Sequence, residues 1–258
     1  MGTITIHSFK GGTGKTTLAV NLAILLSRTS DELVLLIDSD FQAPSFAEIF
    51  DKKADVFFND FLGGKAELRD IVQSSIRENL DIIFANPRPQ FGKGVLSLDK
   101  TWHSLALKRL MEKMPEFIMD QNYAYVIIDN CPGVNLAAIN TLIISTIGIL
   151  TLRPTEYAIE GTRYLIENIY AILGKKKGRR DFVLFNQIPH NPEYNNTESE
   201  RMIKWEAEFL EYGVETIGKL PCFCSVAHTM LDGLTIFPPD HEFISYLTPI
   251  VERIMSLE

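Results

Sequence analysis

Eight residues near the amino end, Lys10-Gly11-Gly12-Thr13-Gly14-Lys15-Thr16-Thr17, constrain this chain more than any other segment. They stand between a β-branched run, Thr3–Ser8, and a helical leucine pattern over Thr16–Ser27, where Leu18, Leu22, Leu25 and Leu26 recur at helix spacing. Glycines in a turn from strand to helix let backbone N–H groups converge without obstruction by Cβ atoms. The helix amino terminus adds donors and a favourable dipole, so the turn suits a phosphate group. Lys15 is placed to reach β- and γ-phosphates, and the Thr16 hydroxyl to ligate Mg²⁺. Gly14-Lys15-Thr16 in this setting argues against a turn that merely joins two elements.

Beyond that turn the pattern repeats as strand then helix. Leu33–Asp38, Leu80–Ala85, Tyr125–Asp129, Ile149–Leu152, Phe182–Asn186 and Thr216–Leu220 read as further strands, about seven in all. Helical patterns cover Trp102–Met114, Ile159–Leu173, Met202–Tyr212 and Phe243–Met255. Strands apolar on both faces and separated by helices predict a doubly wound, mostly parallel α/β sheet with helices on both faces, of the P-loop NTPase type. Pro87–Lys93 and Pro189–Glu198 read as exposed loops. No composition shift marks a linker, so residues 1–258 are expected to form one domain. Asn130–Leu152 lacks charge and could mimic a membrane span, but Asn135, Asn140, Thr141 and the Pro132-Gly133 turn break it. A helix over Val134–Ile144 followed by a buried strand is the better parse.

Hydrophobic residues make up 46% and charged residues 22%, which excludes disorder, collagen and coiled coil. A formal charge of −8 argues against a chain wholly devoted to coating nucleic acid. Three cysteines and no signal peptide at the start point to a reducing, cytoplasmic setting.

Phosphoryl transfer needs carboxylates at the carboxyl ends of neighbouring strands, where ligands sit in open α/β sheets. Leu36-Ile37-Asp38-Ser39-Asp40 delivers two at period-two spacing, and Ile127-Ile128-Asp129 a third. Each alone could equally be a strand-end or cap residue that accepts backbone hydrogen bonds. Together with the phosphate loop they favour a catalytic reading.

The loop departs from the common G-x-x-x-x-G-K-[ST] form: Phe9 holds the first glycine position, and Lys10 precedes two glycines. It resembles the deviant Walker A motif of the ParA/MinD family of ATPases. Asp38–Ser45 resembles that family's switch I, and Asp129 with Pro132-Gly133 its Walker B and switch II. Further resemblance covers Asn59–Asp70, Arg153–Glu156 and the strand ends Phe185-Asn186 and Leu220-Pro221. The resemblance implies that Lys10 reaches the nucleotide of a partner copy, and that Asp40 orients the attacking water. It also implies that Asp38 and Asp129 act through hydrated Mg²⁺, with Asn186 and Pro221 at the adenine. By the same resemblance the cofactors are ATP and Mg²⁺. Gly11, Gly12, Thr13, Gly14, Lys15, Thr16 and Thr17 hold the phosphates, and the ATP-bound state is a homodimer relieved by an activating protein partner. Such enzymes position or segregate DNA, division sites or other cargo.

Other signals carry less. Cys222-Phe223-Cys224 has C-x-C rather than C-x-x-C spacing, and His7, His103, His190, His228 and His241 are scattered, so buried or half-buried inert thiols are expected. Cys131 has no base recognisable beside it. Lys175, Lys176, Lys177, Arg179 and Arg180 form a basic run that fits nonspecific DNA or a solvated loop. The last helix is apolar along Phe243, Tyr246, Leu247, Ile250 and Ile254 but carries acidic Glu252, which disfavours direct membrane binding. With a strand beginning at Thr3, a preceding helix-turn-helix module is not expected. A cargo or metal-cluster carrier on the same fold, a ligase or kinase with a comparable loop, and a non-hydrolysing nucleotide-binding adaptor remain as alternatives.

Overall fold

The computed structural model describes residues 2–189, 195–231, 233 and 235–257. Strand β1 (Gly2–His7) leads through the glycine turn into α1 (Lys15–Thr29), and β2 (Val34–Ser39) follows. Three short helices, α2 (Phe46–Ile49), α3 (Phe58–Leu62) and α4 (Leu68–Ile71), precede a hairpin of β3 (Val72–Arg77) and β4 (Leu80–Ile83). Helices α5 (Pro89–Ser97) and α6 (Lys100–Gln121) lead to β5 (Tyr125–Asn130), then α7 (Leu136–Ile144) and β6 (Ile147–Leu152). Helix α8 (Glu156–Leu165) runs into a π-helical turn, Ile166–Tyr170, and a last short turn, α9 (Ala171–Leu173). The chain continues through β7 (Arg180–Ile188), α10 (Asn195–Glu211), β8 (Glu215–Pro221), α11 (Cys224–Leu231) and α12 (Glu242–Met255).

Among the described residues the strands form one sheet in the order β3-β4-β2-β5-β1-β6-β7-β8. Every pairing is parallel except β3 with β4. Strands β1, β2, β4, β5 and β6 are buried along their whole length, as expected where helices cover both faces. On one face Leu18, Leu22 and Leu26 of α1 share a core with Leu247, Ile250 and Ile254 of α12. On the other, Leu110, Met114 and Phe117 of α6 pack with Ile37, Val126 and Ile128. No helix among the described residues is long and apolar enough to cross a membrane.

Several boundaries differ from the sequence reading. The helical pattern read over Trp102–Met114 falls short of α6, which runs on through Pro115 because Phe117 and Ile118 still have core to enter. Asp99 caps its start, accepting from the Trp102 N–H at 2.8 Å, and Asn122, at φ 60°, ends it in the left-handed region. The expected loop Pro87–Lys93 overlaps α5, where proline stands at the first helical position, a place it tolerates well. Of the expected loop Pro189–Glu198, residues 190–194, including His190, lie outside the described residues, and α10 begins at Asn195. Tyr246 lies 41% exposed beside Phe223, so the apolar stripe of α12 runs through Ile244 and Val251 instead.

Candidate nucleotide site

The carboxyl ends of the strands open onto a cavity of about 560 Å³. Its walls are Gly11, Gly12, Gly14 and Lys15–Thr17 of the glycine turn, Asp40, Gln42 and Ala43 after β2, Pro132 after β5 and Arg153 after β6. Asn186 and Gln187 of β7, Pro221, Cys222 and Phe223, and Val226, Ala227 and Phe243 from α11 and α12 complete it. Strand β1 stands between β5 and β6, so the loops on its two sides lead away in opposite directions and leave this crevice.

Glycines shape the turn where the backbone demands it. Gly12 and Gly14 adopt φ 75° and 83°, which side chains on L-residues resist, and a Cβ on Gly14 would lie 2.6 Å from Asn186 Nδ2. Asn186 Nδ2 donates to the Thr13 carbonyl at 2.7 Å while its Oδ1 accepts from the Gln187 N–H at 2.9 Å. Asn186 therefore braces the phosphate loop from β7, with its second amide N–H left over for a ligand. Pro221 sits half-buried in the wall, and the Cys222 N–H donates to the Ile188 carbonyl at 2.8 Å.

Lys15 is buried beneath the loop. The Thr16 hydroxyl donates to Asp129 Oδ2 at 2.6 Å. Asp129 is fully buried, and its Oδ1 has no hydrogen-bond partner among the described residues. Burial pushes the Asp129 carboxyl up to about 7, against the pull of the Thr16 hydrogen bond and the Lys15 charge, with Asp40 adding to the rise. A hydroxyl and a carboxylate oxygen without a partner, side by side, form the hard-oxygen donor set that suits Mg²⁺.

Asp38 and Asp40 shape the loop that follows β2. Asp38 Oδ1 accepts from the Asp40 N–H at 3.1 Å, and Oδ2 from Ser45 and Phe46 at 3.1 and 3.3 Å. Burial, then the charge of Asp129, raises Asp38 well above the usual carboxylate range. Asp40 Oδ1 accepts from Gln42 and Ala43 at 3.1 and 3.2 Å, which turns its carboxylate toward its own loop at the cavity edge. Asp38 and Asp129 thus lie under the wall, while Lys15, Thr16 and Asp40 are in it. Lys10 stands exposed, its Nζ 5.8 Å from the centre of the Tyr157 ring.

Two sequence expectations fail. Cys222 and Cys224 are exposed rather than buried, because the chain has left β8 and runs along the cavity rim into α11. Cys131 is the buried thiol: it donates to the Ser39 carbonyl at 3.0 Å, and burial pushes its pKa far above the usual thiol value. Arg179 is not part of a surface cluster. It binds both Asp181 oxygens at 2.9 and 2.7 Å and the carbonyls of Leu142 and Ser145 at 2.5 and 2.9 Å, which keeps the pair out of water. Lys175, Lys176, Lys177 and Arg180 remain exposed. Sequence reasoning also missed Gln187, Phe223 and Phe243 as cavity walls. Gln187 at φ 57° carries a strained backbone that sequence does not announce. Phe223 directly follows the Pro221-Cys222 strand end, a signal that could have found it.

A family profile described as an AAA domain matches residues 1–181. The sporulation initiation inhibitor protein Soj of Bacillus subtilis is 34% identical over 168 residues, 64% of each chain. The chain thus spans just under two thirds of the length of this curated relative. Among solved structures, a putative plasmid partition protein of Borrelia burgdorferi bound to AMPPNP superposes with TM-score 0.75 over 99% of this chain and 98% of its own, at 21% identity. The septum site-determining protein MinD of Pyrococcus horikoshii, complexed with Mg-ADP, gives 0.71 over 99% and 96%, again at 21%. At that identity the two structures establish the fold.

Proposed function

The chain belongs to the ParA/MinD family of P-loop ATPases, and from that premise we propose that it is an ATP-binding and ATP-hydrolysing switch working with Mg²⁺. The observation that carries the reading is the Thr16–Asp129 hydrogen bond with Asp129 Oδ1 left unpartnered, directly beneath a glycine loop that buries Lys15. In this reading residues 1–258 act as one cytoplasmic ATPase unit.

Backbone N–H groups from Gly11 to Thr17 and the Lys15 ammonium hold phosphate oxygens, a task that needs donors fixed before the substrate arrives. Thr16 would hold Mg²⁺ directly, with Asp38 and Asp129 acting through its hydration shell. Bound there, the ion supplies charge neutralisation on the β- and γ-phosphate oxygens. Asp40 orients the attacking water from the cavity edge. Asn186 and Pro221 flank the base, with Phe223 as an apolar wall on that side. Lys10, exposed beside Tyr157, reaches the nucleotide of a second copy when two ATP-bound chains meet face to face.

The dimer is the working state and hydrolysis ends it, with an activating protein partner setting the rate. The cargo is DNA, a division site or another large assembly. Lys175, Lys176, Lys177 and Arg180 offer a phosphate-binding patch for nonspecific DNA, and Arg179 is left out because its charge is already spent on Asp181. The test compares two variants by calorimetry and size-exclusion chromatography with ATP and Mg²⁺. Lys15→Ala is expected to lose nucleotide binding, and Asp40→Ala to bind ATP and accumulate as dimer. Asp40→Ala that stays monomeric and hydrolyses ATP normally contradicts the role given to Asp40.

A further inference from the structure

Strand β1 and the start of the phosphate loop lie along α8 and its π-turn in opposite chain directions. His7 meets Tyr170, Phe9 meets Gly161 and Tyr164, and Lys10 meets Tyr157. In an unbroken α-helix, Tyr170 would fall on roughly the opposite side from Gly161, because nine residues turn through about two and a half revolutions. The extra residue taken up by the π-turn Ile166–Tyr170 swings Tyr170 back by about 100°, toward β1. Both His7 and Tyr170 are buried, and a Cβ on Gly148 of β6 would collide with Tyr170, Arg179 and Asp181. Room for this ring is built into the sheet.

Hydrogen-bond chemistry fixes the direction of the chain of contacts. His7 Nε2 lies 2.9 Å from the Gly133 carbonyl, which can only accept, so Nε2 carries the proton. His7 Nδ1 is then an acceptor, and the Tyr170 hydroxyl at 3.1 Å donates to it. The Gly133 N–H in turn donates to the Ser8 carbonyl at 2.8 Å, so both the N–H and the carbonyl of Gly133 are tied to the end of β1 and the residue after it.

We propose that Tyr170 and His7 are positioning residues that hold the Gly133 carbonyl, and with it the Pro132-Gly133 turn, in the place required when a γ-phosphate is bound. This rests on the reading of that turn as switch II. Neither side chain lines the cavity, so both act through the turn. The π-turn then couples the phosphate end of the site to α8, whose outer face carries exposed Tyr157 beside Lys10.

The test pairs a spectrum with kinetics. In wild-type protein carrying ¹⁵N-histidine, His7 is expected as the neutral Nε2–H tautomer, with ring resonances that differ between the Mg-ADP and Mg-AMPPNP complexes. Tyr170→Phe keeps the ring and removes only the donor. It is expected to lower kcat about fivefold to tenfold, leaving KM for ATP and affinity for ADP within about twofold. His7→Gln, which retains a donor near Nε2, is expected to keep more turnover than His7→Ala. Identical His7 resonances in the two nucleotide states, or unchanged kcat in Tyr170→Phe, overturns the proposal. Wild-type protein that does not turn over ATP contradicts the proposed function itself, whereas active wild type with an unaffected Tyr170→Phe contradicts only the positioning role.

Discussion

A buried histidine weakens this fold in acid. Burial is the main reason His7 titrates near 4 rather than 6.5; the hydrogen bond to Gly133 opposes the shift and the Lys15 charge reinforces it. Between those values the unfolded chain binds a proton that the folded chain refuses. Stability from this group is therefore complete above about pH 6.5 and is lost progressively as the pH falls toward 4. At pH 5 the loss amounts to about 2 kcal/mol. Urea unfolding at pH 7.5 and 5.0 should give a difference smaller by about that amount in His7→Gln than in wild type. Equal differences would mean that another group controls the acid limb. Residue-scale chemistry was otherwise well advertised: Lys15, Thr16 and Asp129 are brought together, as strand-end carboxylates and a Gly-Lys-Thr turn predict. The inward turn of Arg179 was not, because a basic run in sequence does not reveal that its guanidinium folds back onto Asp181, two residues on in β7.

At the scale of elements, α8 depends on one missing side chain. A Cβ on Gly161 would strike the Phe9 ring, so Gly161→Ala sets two effects against each other. Helix propensity favours alanine by roughly 1 kcal/mol, while overpacking against the half-buried Phe9 ring costs roughly 1–3 kcal/mol. Net destabilisation is expected in chemical denaturation, and a more stable variant would show that Phe9 can move aside freely. Long elements with a clear period were legible in sequence, including α1, β2, β5, α10 and α12, and so was the α7–β6 parse of the uncharged stretch. Short ones were not. Helices α2, α3 and α4 have four or five residues, too few to display a period, and β3 is a polar edge strand, Val72-Gln73-Ser74-Ser75-Ile76-Arg77, that alternation does not mark. The π-turn, Ile166–Tyr170, carries no sequence mark that periodicity could pick out.

For the whole molecule, sheet order does what sequence order hides. Strands β7 and β8 come late in the chain yet lie on the β6 side of β1, which brings Asn186, Pro221 and Phe223 to the glycine turn formed at the start. The glycine-turn half of the cavity was therefore readable from one continuous motif, whereas the opposite half is assembled from three distant segments. Everything proposed for the dimer, the water and the cargo depends on that cavity taking a nucleoside triphosphate. Calorimetric titration of the wild-type protein with AMPPNP, with and without Mg²⁺, tests this most directly. Saturable binding that weakens when Mg²⁺ is removed and disappears in Lys15→Ala is the expected result. No heat with adenine or guanine triphosphates in the presence of Mg²⁺ would contradict the account.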